Sequence, residues 1–183
     1  MILSNNIVDG AILGMKAMHG SRHVLIEGNQ FINVDMWGIM LMPGAGSHPA
    51  RSQKDNPEKF EANTDGGTII ANNIISNFGY GAQRWNSKGG MEGLPHHCPI
   101  TIRGGQLPEN PPLKDVLITG NIVYDSGRDG VIENGEAKVA APRYHHALYI
   151  EQTREPLPQN VIVRGNIFNP GNKGVANFDL PPQ

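Results

Sequence analysis

The sequence predicts an all-β solenoid, and three observations predict it. A unit of eight residues at 116–123, Val-Leu-Ile-Thr-Gly-Asn-Ile-Val, occurs in recognisable form five times, at 2–8, 24–31, 68–75, 116–123 and 161–168. Such self-similarity is the signature of stacked supersecondary units. The 183 residues carry 23 Gly and 14 Pro against 6% aromatics, a composition of short strands and turns. No window holds the i, i+3, i+4 periodicity of a long amphipathic helix. Length and repetition together make residues 1–183 one elongated domain.

Aligned on the asparagine, the copies give a column Asn6, Asn29, Asn73, Asn121, Asn166, preceded by Asn5, Gly28, Asn72, Gly120 and Gly165. Gly and Asn enter the left-handed region cheaply, so each pair reads as a bend between two strands. Before the bend, Val24/Ile26, Thr68/Ile70, Val116/Ile118 and Val161/Val163 supply an inward alternation. After it, a second glycine recurs at Gly14, Gly38, Gly81, Gly130 and Gly174, followed by another short strand. Stacked asparagines at bends are expected to bond one another and the backbone as a structural ladder.

The intervals between asparagines are 23, 44, 48 and 45 residues. The first is one bare coil; each longer one holds either a second, degenerate coil or one coil with long loops. Residues 43–66 have loop composition. The strands at 99–103 and 147–151 read as coil strands displaced by insertions at 86–97 and 134–145, with further loops at 104–114 and 152–159.

Two rows of the stack stand out. Leu25, Ile69, Leu117 and Ile162 fall at outward positions and make an apolar stripe. It is expected to be covered by loops, a cap or another subunit. The strand after the second glycine gives the row Ala17, Leu41, Arg84, Glu133, Asn177. If no coil intervenes, Arg84 and Glu133 become a charge-assisted pair on the floor of a polar groove, with Trp85 beside it.

A formal charge of −2 argues against a nucleic-acid or acidic-membrane partner, which would call for a basic surplus. Cys98 is the only cysteine, so an intramolecular disulfide framework is excluded. Residues 1–6 lack the basic and apolar regions of a signal peptide, and no run is long enough for a membrane span. Because these first residues already belong to a repeat, upstream coils or a cap are expected to be missing.

The units similar to Val-x-Ile-x-Gly-Asn-x-Ile, followed by glycine and a short strand, resemble the right-handed parallel β-helix repeats of the pectin-lyase-like superfamily. The resemblance covers nearly the whole chain. It implies a single-stranded right-handed parallel β-helix with loop insertions on one face, in an extracellular or periplasmic setting. The activity implied is polysaccharide binding and cleavage, by β-elimination of a uronic-acid chain or by glycoside hydrolysis. A non-catalytic adhesive or tailspike-like β-helix is the alternative, since one fold hosts many functions. Calcium is the cofactor the resemblance implies. Neither an Arg-x-Pro-x-x-Arg pattern nor the paired-Asp and Gly-His-Gly pattern of polygalacturonases occurs, so candidate roles come from position.

Hydrolysis uses two carboxyl groups, for which Asp125, Asp129, Glu133 and Glu151 are candidates. Elimination uses a base beside groups that neutralise the uronate carboxylate. Arg84, Arg103, Arg143, Lys88, Lys138 and the histidine pairs His96-His97 and His145-His146 are candidates for that. The catalytic set is Arg84, Glu133, His97, His146, Arg103, Glu151 and Asp129; the substrate-binding set is Trp85, Arg143, Tyr144, His96 and His145. Histidines on neighbouring coils also suit a transition metal, although no motif of fixed metal spacing is present. Two alignments of the displaced strands compete: one matches the His pairs, and the other matches Ile100 and Ile102 with Leu148 and Ile150.

Overall fold

The computed structural model describes residues 1–58, 62–80, 97–124, 131–133, 136–138 and 142–180. The chain is all-β with mostly parallel strands. The first repeat contributes β1 (Ile2–Ser4), β2 (Ile7–Asp9) and β3 (Leu13–Ala17), and the second β4 (Leu25–Glu27), β5 (Gln30–Ile32) and β6 (Trp37–Leu41). The third contributes β7 (Gly66–Ala71), β8 (Ile74–Ser76) and β9 (Ile100–Ile102). The fourth contributes β10 (Lys114–Thr119), β11 (Ile122–Tyr124), a hairpin of β12 (Val131–Glu133) and β13 (Glu136–Lys138), and β14 (Leu148–Ile150). The last contributes β15 (Gln159–Arg164) and β16 (Ile167–Phe168).

Like strands of successive repeats pair in parallel. The first sheet is β1-β4-β7-β10-β15, the second β2-β5-β8-β11-β16 and the third β3-β6-β9-β14, an arrangement consistent with a parallel β solenoid. Leu25 pairs directly with Ile69, Ile69 with Leu117 and Leu117 with Ile162. No coil intervenes, so the doubled intervals are single repeats carrying loops.

The inward alternation before each bend is as expected. Val24, Ile26, Thr68, Ile70, Val116 and Ile118 are buried, and Val161 and Val163 pack against the same core. That core also takes Phe31, Ile75 and Val123 from the second sheet and Ile39, Ile100 and Leu148 from the third.

The bends form as the Gly/Asn column requires. Asn5, Gly28, Asn72, Gly120 and Gly165 all have φ between 55 and 66°, the left-handed region where these residues cost least. The following asparagines make a continuous ladder. The Oδ1 of Asn73 accepts from the backbone N–H of Asn29 at 3.0 Å and from its Nδ2 at 2.9 Å; Asn121 receives the same two bonds from Asn73, and Asn166 from Asn121. Each Nδ2 also donates to a backbone carbonyl two residues before the neighbouring bend pair, Asn73 to Ile26 and Asn121 to Ile70. The asparagines are therefore structural.

Two expectations are corrected. Residues 43–66 are not all loop: a 3-10 turn at Ala45–Ser47 leads into α1 (Pro49–Asp55), capped by the His48 side chain, which accepts from the Ala50 N–H. Pro49 at the first helical position is compatible with this start, and seven residues are too few to show a helical period. In the third sheet, Leu41 is followed by Ile102 and then Ile150, where Arg84 and Glu133 were expected. Arg84 lies outside the described residues. Glu133 is in the antiparallel hairpin, opposite Glu136, because the long insertions move the sheet strands downstream to 100–102 and 148–150.

Candidate functional site

The site is built on the outer face of the third sheet. There the register lines up Lys16, Met40, Thr101 and Tyr149. Two residues further along the strands come Met42, Arg103 and Glu151, at equivalent places directly after Leu41, Ile102 and Ile150. A groove of about 510 Å³ runs over this face, lined among others by Lys16, Trp37, Met40, Met42, Arg103 and Arg154.

Loops that follow the third-sheet strands wall the groove on one side. The Gln106 side chain accepts from the Ala45 N–H at 2.8 Å, its N–H donates to the Pro43 carbonyl, and its own carbonyl accepts from the Arg154 guanidinium. Gly104 lets these loops close up, since a Cβ there would stand 2.6 Å from the Arg154 carbonyl oxygen. Deeper in the same loop system, Asp65 takes the Gly20 and Ser21 N–H groups on one oxygen and the Ser47 hydroxyl on the other. That carboxylate pins the 43–65 insertion to the chain after β3.

The groove is cationic. Lys16 is exposed and its ammonium lies 5.9 Å over the Trp37 ring, within cation–π range. Partial burial first, and the Arg103 charge second, lower the lysine's proton affinity. Burial also lowers that of Arg103, opposed by the charge of Glu151. The Arg103 Nε is buried without a hydrogen-bond partner.

Glu151 is buried and already bonded. Its Oε1 accepts from the Thr153 hydroxyl at 3.0 Å, and from the Thr153 N–H and the Tyr149 hydroxyl at 3.3 Å each. Burial acts to raise its pKa, but the Thr153 bonds, the Tyr149 bond and the Arg103 charge outweigh it and hold the carboxyl below its ordinary range. The Tyr149 phenol moves the other way, pushed up to about 12 by burial and by the neighbouring carboxylate.

The sequence-predicted residues divide accordingly. Arg103 and Glu151 are brought together at the groove. His97 is buried and meets Trp37 edge-on, with centroids 5.3 Å apart. The alignment matching Ile100 with Leu148 and Ile102 with Ile150 is the observed one, which sets His97 opposite His145. His145 is buried against His146, centroids 6.4 Å apart, and His146 has its Nδ1 buried without a hydrogen-bond partner. Burial, then the charges of His145 and Lys173, disfavour a proton on His146. Cys98 beside it is buried, and burial pushes its thiol up to about 12, which disfavours the nucleophilic thiolate.

Two substrate-binding candidates make contacts within the scaffold. Tyr144 is a core residue, edge-on to Phe78 at 6.0 Å, and its hydroxyl donates to the Asn169 carbonyl. Arg143 donates to the Gly79 carbonyl at 3.0 Å and stacks 4.4 Å over Tyr80, a turn fastening away from the groove lining. Trp85, His96, Asp125, Asp129 and Lys88 lie outside the described residues, as do the side chains of Glu133 and Lys138.

Sequence reasoning missed Lys16, Trp37, Tyr149 and Arg154. Three of them were within reach of the right register: matching Ile102 and Ile150, rather than Gly81 and Gly130, with Leu41 puts Lys16 and Tyr149 in the adjoining row, one residue earlier on each strand, and brings Trp37 alongside. Arg154 carries no such signal, because a loop brings it in.

Among the described residues no group of three or more His, Cys, Asp or Glu is placed to hold a metal ion. Calcium takes six to eight oxygen ligands, whereas the described groove sets one carboxylate against three cations, so this donor set does not fit it. No helix among these residues is long and apolar enough to cross a membrane. Compared with family models, curated proteins and solved structures, the chain matches none.

Proposed function

We propose that the chain is a right-handed parallel β-helix of the pectin-lyase-like kind that binds an acidic, uronate-bearing polysaccharide over its third sheet and cleaves it by β-elimination. The observation that carries this reading is the juxtaposition of Lys16 and Arg103 in one open groove, with Arg154 on its wall and Trp37 on its floor. An open groove suits a chain polymer, and Trp37 contributes aromatic surface to its lining.

Arg103 and Arg154 bind the uronate carboxylate. Neutralising it acidifies the adjacent C–H, since negative charge develops there as the proton leaves. Lys16 is the base: a lysine lowered by burial and by a neighbouring guanidinium has a larger free-amine fraction near neutral pH. The C5–H bond breaks toward the Lys16 amine, the electron pair forms the C4–C5 double bond, and the C4–O bond breaks. The proton passes from Lys16 to the departing oxygen through solvent, so charge and atoms balance. Hydrolysis is less well served. It uses two carboxyls about 5 to 10 Å apart, and Glu151, the one described carboxylate near Arg103, is held by three donors.

The test is a panel of neutral and acidic polysaccharides, read by ultraviolet absorbance of unsaturated uronate ends and by reducing ends. Absorbance and reducing ends rising together on an acidic polymer support elimination. Reducing ends alone mean hydrolysis, and no turnover on any glycan removes the enzyme reading.

A further inference from the structure

The outer face of the first sheet carries two adjacent rows. One is Ile2, Leu25, Ile69, Leu117, Ile162, and the next is Ser4, Glu27, Ala71, Thr119, Arg164. Ile2, Ile69 and Ile162 are 70, 40 and 49% exposed, so no described part of the chain covers the apolar row. Its charged neighbours are placed asymmetrically: Glu27 is on β4 and Arg164 on β15, with the small side chains of Ala71 and Thr119 between them. Asn72 donates to the Glu27 carboxylate at 3.4 Å, which steadies it on this face.

The geometry points to a second copy of this chain as the occupant. A two-fold axis lying in the interface, parallel to the strands and between β7 and β10, lays each row on the same row of the other copy in reverse order. Leu25 then faces Ile162 and Ile69 faces Leu117, so the apolar row covers itself from β4 to β15, while Ile2 on β1 stays outside the contact. In the neighbouring row Ala71 faces Thr119 and Glu27 faces Arg164, and symmetry makes each contact twice. An axis along the stack keeps every residue at its own level, where Arg164 finds no acid among residues 158–164. The charge pattern thus selects one of the two arrangements and argues for self-complementarity.

Four strands at about 4.8 Å spacing and about six residues at about 3.3 Å rise give roughly 400 Å² per partner. A standard stable interface uses about 800 Å² per partner, so this dimer is weak and rapidly exchanging. It lies on a different sheet from the groove.

Sedimentation equilibrium over a concentration series tests it, alone and with charge reversals. The wild type forms dimers as concentration rises. E27R and R164E each raise the dissociation constant about tenfold, from two rim pairs per dimer turned repulsive, and E27R/R164E restores it to within about threefold. Both sites are at the surface, and melting temperatures within the wild-type range show that each variant is folded; either single variant suffices if the other is not. A wild type that is monomeric throughout, a dimer that E27R or R164E leaves unchanged, or a double variant as weak as the singles overturns the proposal.

Discussion

Asn121 bonds on every side. Its Nδ2 donates to Ile70, Thr119 and Asn166, and its Oδ1 accepts twice from Asn73. Asn121→Ala strips partners from several buried groups at once, and should cost about 2 to 4 kcal/mol in urea unfolding. Asn6 ends the ladder in an exposed position, and Asn6→Ala should cost about 1 kcal/mol or less. Equal costs at the two positions would mean that the ladder is not what ties the repeats together. Glu151 makes a second prediction. Its folded carboxyl lies below the ordinary 4.5, so its ionised form stabilises the fold above that value, and this stability is lost as pH falls below it through the folded pKa. Glu151→Gln should flatten that acid limb. Asp65, raised chiefly by burial, has the opposite slope and cancels when variant and wild type are compared; parallel curves would contradict the assignment.

Among the elements, the first two sheets were legible because their signal is local. A left-handed residue, an asparagine and alternating apolar flanks sit within eight residues, so the motif carries its own register. The third sheet was legible only in part. Its displaced strands are visible as Ile-Thr-Ile at 100–102 and Leu-Tyr-Ile at 148–150, yet the glycine column led the row astray at Gly81 and Gly130. Gly14 and Gly38 show what that column is for where it does hold. A Cβ on Gly14 would run into the Gly38 carbonyl, and one on Gly38 would stand 2.6 Å from the Pro99 oxygen. Glycine here admits a neighbouring backbone, and in the next repeat Pro99 takes the adjoining place. Gly38→Ala should therefore cost about 2 to 4 kcal/mol, as overpacking against backbone does at its upper end. Gly10→Ala has open space and only a φ of +70° to oppose it, for about 1 kcal/mol. Denaturant midpoints read both, and a neutral Gly38→Ala would refute the close approach.

At the scale of the whole molecule, the three sheets divide the work. The interior is one core, the first sheet presents a self-complementary apolar row, and the third presents the cationic groove. The groove was the least legible part, since Lys16, Trp37, Arg103 and Arg154 come from three repeats and a loop. Their meeting depends on a register that the insertions hide. The most direct measurement is the initial rate of unsaturated-uronate formation on an acidic polysaccharide by wild type, Lys16→Met and Arg103→Ala, with melting temperatures taken alongside. With Lys16 as base and Arg103 on the carboxylate, wild type turns over and each variant falls by about a hundredfold or more while remaining folded. Turnover that survives both substitutions at the wild-type rate, or a wild type that forms no unsaturated product on any acidic polymer, would contradict the assignment of elimination to this groove.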